Sequence, residues 1–244
     1  MIYGMNEYVA PQADQSHAKR HRPNGPHPGI VGTVCLVLFA TSLVLMIALS
    51  HGSFISSPFA DDSPDFFARH GLASRLTALF QLGASVPLGI YAATMYARLQ
   101  RLGVRVPGPS IAFFGGTSAS VLLAISALLT WTAGNDAVAA HPELTRALGF
   151  LAFGTGGFAH LLGLGLLVAG IAVPGLILRL LPLPLAWAGL VIAAICELSI
   201  LTMALEPFQA LVPIGRFTAL AWIVAAGFLL PRSRQRKNTL KGRS

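Results

Sequence analysis

The chain has 244 residues, of which 54% are hydrophobic and 11% charged, and its mean hydropathy is +0.67. A soluble domain carries about 25% charged residues, so this composition excludes an ordinary water-soluble globule; several apolar runs near the ~20 residues that cross a bilayer imply an integral membrane protein. The net charge of +8 does not imply a nucleic-acid partner, because the basic residues flank the apolar runs, where they set topology and attract anionic lipid headgroups.

Taken in chain order, residues 1–28 are polar and proline-containing and read as a disordered cytoplasmic tail. The first apolar run, 29–51, is too long and too late to be the core of a signal peptide. Five further spans follow at about 72–98, 110–133, 145–173, 183–204 and 211–231, so the expected fold is an all-α bundle of six transmembrane helices over residues 29–231. Residues 232–244 form a basic tail. Between the first two spans lies GSFISSPFADDSPDFFARHG (52–71). Its SPDFFARHG portion resembles a short surface helix with Phe66 and Phe67 at the interface, either a plain connection or a lid over the outer face.

Basic residues orient the bundle. With the N-terminus inside, thirteen lie in the inner segments, among them Arg98, Arg101, Arg105 and Arg179, and four outside. Asp61, Asp62, Asp65, Asp136, Glu143 and Glu206 fall on the outer side. This asymmetry predicts a multi-pass protein of the cytoplasmic (inner) membrane with both termini in the cytoplasm.

The even-numbered spans begin alike, with SRLTALFQLG, TRALGFLAFG and GRFTALAWIV, and place Arg75, Arg146 and Arg216 near their outer ends at spacings of 71 and 70. Such spacing fits three repeated helical hairpins around a common axis. The arginines either snorkel to headgroups or form a ring that holds an anionic headgroup or substrate.

The segments LRLLPLPLAWAGLVIAA (178–194) and LVPIGRFTALAWIVAAGF (211–228) resemble a bacterial family of six-span membrane proteins whose shared domain is of unknown function. The resemblance implies a multi-spanning membrane protein and no established activity. That family often carries an acidic residue near the start of its last helix, where Arg216 stands here.

Ionisable residues deep in a bilayer are costly and face the bundle interior. Two occur here, His160 and Glu197, together with the amide Gln81 beside the helix-kinking Pro87. His160 lies ~21 Å inward of Arg146 along its helix and shares a stripe with Gly149, Gly156, Gly163 and Gly170, which predicts a close helix interface. Glu197 lies ~14 Å from Glu206, on a neighbouring span with Ser199 and Cys196 nearby. A His160–Glu197 pair is the expected feature, acting as a helix lock or as a proton relay.

Cofactor chemistry finds little support. One intramembrane histidine cannot supply bis-histidine haem ligation within a chain. His51, His70, His141 and Asp65 gather on the outer side as a weak metal set, without HxxxH or HExxH spacing. GTGGFA (154–159) follows no strand, so it is not a dinucleotide fingerprint, and no GxSxG occurs. Cys35 and Cys196 lie inside spans and read as small apolar residues. No cofactor is therefore expected. The functional expectation is binding or transport of a small solute, lipid or proton; a non-catalytic subunit or regulator with a protein partner or second copy, and a metal-dependent intramembrane enzyme, are the alternatives.

Overall fold

The computed structural model describes residues 25–52 and 63–231. The basic tails and Asp61 and Asp62 lie outside the described residues. Within them the protein is all-helical, with six helices long and apolar enough to cross a membrane.

The first span is α1 (Pro28–Leu49), whose N-terminus is capped by His27: its Nδ1 accepts from the Gly29 N–H at 3.2 Å. The short α2 (Ser63–Arg69) then leads into α3 (Gly71–Arg101), which crosses with Pro87 in its interior. α4 (Gly108–Ala133) returns, and a four-residue helix, α5 (Asp136–Ala139), joins it to the fourth span. That span is built in pieces: α6 (Pro142–Gly154), a π-helical turn (Thr155–Ala159), and α7 (His160–Ile177). The fifth is α8 (Leu183–Leu198) with a terminal 3₁₀ turn (Ser199–Met203). A second 3₁₀ turn (Glu206–Ala210) opens the last, α9 (Leu211–Leu229).

The spans pack in chain order and the ring closes where α9 meets α1. Successive hairpins give this order naturally, since short connections leave consecutive antiparallel helices as neighbours. At the closure Gly227 lies against the backbone of Gly29, and the rings of His27 and Phe228 sit 5.3 Å apart. This end of the bundle is the near face; the end carrying α2 and α5 is the far face.

The tightest crossing is between α7 and α4. A Cβ on Gly163 would stand 2.7 Å from the Gly115 carbonyl oxygen and the Ala119 amide, and one on Gly170 would be as close to Gly108 and Ala112. Association in lipid relies on such close backbone approach, because tails compete with apolar side chains as partners. The predicted glycine stripe therefore faces α4, whereas the sequence reading sought the partner of His160 on α8.

The near half of the bundle is filled by Leu88, Tyr91, Leu161, Leu164, Leu220 and Ile223, all buried. Tyr91 crosses this core from α3, and its hydroxyl donates to the Ile223 carbonyl on α9 at 2.7 Å. At the near face Arg98, 5% exposed, reaches the end of α9. Its guanidinium donates to the carbonyls of Gly227 (3.3 Å), Leu230 (2.5 Å) and Pro231 (3.2 Å). The last carbonyls of a helix have no intrahelical donor, so a cation placed there satisfies them and opposes the helix dipole. Arg98 is thus a built-in cap on α9, beyond the topology signal it supplies in the sequence.

Candidate functional site

The far half of the ring is hollow. A cavity of about 480 Å³ lies between α1, α3, α4, α6 and α9. Phe67 of α2 and Gln209 of the second 3₁₀ turn contribute to its wall from the far face. Phe66 and Phe67 are buried, so α2 is seated on the bundle as an apolar cover at the far face.

The polar groups of the wall are few: Thr77, Gln81, Ser126, Thr130, Gln209 and Arg216 among apolar side chains such as Phe39, Leu123 and Phe153. Three of the hydroxyls are occupied by backbone carbonyls. Thr77 donates to Ser42 (3.3 Å), Ser126 to Ala152 (2.8 Å) and Thr130 to Ser126 (2.9 Å). Two buried polar atoms on the wall have no partner among the described residues, Arg216 Nε and Gln209 Oε1.

Arg216 sits about 8 Å inside the start of α9 at 1.5 Å per residue. One terminal nitrogen of its guanidinium donates to the Gly156 carbonyl, and the group lies 5.3 Å from the centroid of the Phe39 ring. Gly156 belongs to the π turn. There the His160 amide bonds the carbonyls of Thr155 and Gly157, bypassing Gly156, its α-helical partner. Gly157 departs from helical dihedrals altogether (φ −83°, ψ −108°). Glycines at 154, 156 and 157 make this the weakest stretch of the span, and π turns inside helices recur at functional sites. The break thus turns a carbonyl toward the cavity, where the arginine of another helix takes it.

His160 lies outside the cavity wall. It is 1% exposed, and its Nδ1 is 2.8 Å from the Ala119 carbonyl of α4. An imidazole N–H donating there ties α7 to α4 at their closest crossing. Glu197 is half-buried on another side of α7, where its Oε1 would stand 2.8 Å from a Cβ on Gly165. No hydrogen bond or ion pair joins His160 and Glu197 among the described residues, so the expected pair is not formed. The physical reason is the direction of the glycine stripe, which turns His160 toward α4 and away from α8. Gln81 and Arg216 are the sequence-derived candidates that meet at the cavity.

The three arginines, alike in register, have unlike surroundings and form no ring. Arg75 lines a separate groove on the outside of the bundle. Arg146 is half-buried on α6 and absent from the cavity wall. The stripe each shares explains the split. Arg216 is aligned with Val212, Ala219, Leu220 and Ile223, all buried, whereas Arg75 stands at the edge of its helix's buried face, between buried Ala78 and exposed Leu79.

The histidines and acids of the far face stay apart. Asp65 pairs with Arg69 at 3.0 Å, and His70 lies with its ring 5.0 Å from that of Phe66 at the start of α3. His141 precedes α6, and His51 is exposed with φ +52°. Among the described residues no three His, Cys, Asp or Glu side chains group as a metal site. Sequence reasoning overlooked Arg98, Tyr91 and Gln209. For the first two the signal was present, since Leu88, Tyr91, Met95 and Arg98 follow one helical stripe.

No protein-family model, curated protein or solved structure matches the chain.

Proposed function

We propose that this is a multi-pass protein of the cytoplasmic membrane, both termini in the cytoplasm, which binds a small amphipathic anion in its cavity. The ligand class is a carboxylate or phosphate monoester with a short apolar tail. The observation that carries the reading is Arg216: a guanidinium on the wall of a largely apolar cavity, with no salt-bridge partner among the described residues. A buried cation is costly unless paired, and an anionic headgroup supplies the missing partner. Gln81 and Gln209 offer neutral polar contacts, and the apolar wall receives the tail. A volume of about 480 Å³ suits such a molecule. The filled near half gives the cavity a floor, so ligand reaches it from the far half. His160, sealed between α4 and α7, serves as a helix lock.

Binding to the full chain in lipid nanodiscs tests this, with decanoate and the neutral decanol as probes. A charge-assisted hydrogen bond contributes about 1.5–3 kcal/mol, so decanoate is expected to bind roughly ten-fold or more tighter than decanol. Arg216→Gln removes that difference and Arg216→Lys restores part of it. Equal affinity for the two probes in the unsubstituted chain refutes the proposal, even if substituted chains fail to fold.

A further inference from the structure

A second site lies on the outside of the ring, independent of the cavity. Between α3 and α4, toward the far face, is a groove of about 440 Å³ whose lining is apolar apart from Arg75 and the indole of Trp131. Arg75 is four residues into α3 and Trp131 two residues from the end of α4. Both therefore lie within about 6 Å of their helix ends, the depth at which a bilayer presents headgroups. From Arg75 the groove runs toward the middle of the membrane past Leu79 and Leu128 to Leu82, about 10 Å deeper along the helix.

We propose that this groove holds one anionic phospholipid, its phosphodiester on Arg75 and an acyl chain along Leu79, Leu82 and Leu128. Two observations select that occupant. Arg75 Nε has no hydrogen-bond partner among the described residues, and the guanidinium it belongs to lines the groove, where an acceptor from a lipid can meet it. Among the described residues no acidic side chain lines the groove to receive the amine of a zwitterionic headgroup, and the charge they bring to it is positive. Trp131, half-exposed, offers the amphipathic ring that favours the interfacial level.

The test is native mass spectrometry of the full chain released from nanodiscs containing equimolar phosphatidylglycerol and phosphatidylcholine with identical acyl chains. One phosphatidylglycerol is expected to be retained roughly five-fold in preference to phosphatidylcholine, the effect of one basic residue at an anionic surface. Arg75→Gln is expected to abolish the preference, Arg75→Lys to keep most of it, and Arg216→Gln to leave it unchanged. Equal retention of the two lipids by the unsubstituted chain overturns the proposal. So does a preference that survives Arg75→Gln, or one lost only with Arg216→Gln, which assigns the lipid to the cavity.

Discussion

Replacing Gly163 by alanine adds one methyl group at the point where α7 and α4 are closest. The new Cβ would meet the Gly115 carbonyl oxygen and the Ala119 amide at 2.7 Å, and the Ala119 Cα at 2.9 Å. All three are backbone atoms, so no rotamer relieves the contact. The helices must separate by roughly 0.7 Å to reach an ordinary 3.4 Å contact. Ala119 also carries the acceptor of His160, and a shift of that size stretches their 2.8 Å hydrogen bond to about 3.5 Å, beyond useful range. Overpacking costs about 1–3 kcal/mol and a stranded buried polar group about 1–3 more, so the expected loss is about 2–6 kcal/mol. Gly165→Ala is milder, because its Cβ meets the movable end of Glu197 at 2.8 Å, and Gly83→Ala meets only Leu38 at 3.9 Å. Unfolding by SDS in mixed micelles, followed by circular dichroism, ranks the three. If Gly163→Ala falls within about 0.5 kcal/mol of Gly83→Ala, the close-crossing argument is wrong.

Arg98→Leu removes three donors from the end of α9 and is expected to lower stability by about 2 kcal/mol in the same assay, with fraying of α9 seen as faster amide exchange. Tyr91→Phe deletes only the hydroxyl bonded to Ile223, so a loss of about 1 kcal/mol is expected, and a loss above about 3 kcal/mol would show that the ring itself is displaced. Phe67→Ala thins the cover of the cavity without touching Arg216; decanoate should exchange several-fold faster in stopped-flow measurements while keeping its advantage over decanol. His160→Leu breaks the tie to α4 and should destabilise the bundle, yet leave the decanoate-to-decanol ratio intact.

Composition and apolar runs were enough to read six spans, and α1, α3, α4, α8 and α9 begin or end within a few residues of those expectations. The glycine stripe through Gly163 and Gly170 also marked a close interface correctly. What it could not say was which helix lies across it, since small residues invite any neighbour equally. His160 was consequently matched with Glu197 on α8 when its acceptor is a backbone carbonyl on α4. Backbone acceptors leave no trace in side-chain patterns. The three arginines were grouped by their position along the helices, whereas their neighbours three and four places on differ: Ala219 and Leu220, both buried, beside Arg216, but buried Ala78 and exposed Leu79 beside Arg75. The π turn at 155–159 was hidden as well, because glycine serves close packing and a broken helix alike.

The pairing of Arg216 with Gly156 also bears on how the chain is made. Synthesis runs from the N-terminus, so the broken fourth span enters the membrane before α9 has left the ribosome. Throughout that interval the Gly156 carbonyl lacks the donor that later satisfies it, and α1 lacks the neighbour that closes the ring. A chain truncated before residue 211 therefore lacks both the donor to Gly156 and the helix that closes the ring against α1. Arrival of the last helix brings closure, the cavity wall and the missing guanidinium together in a single step.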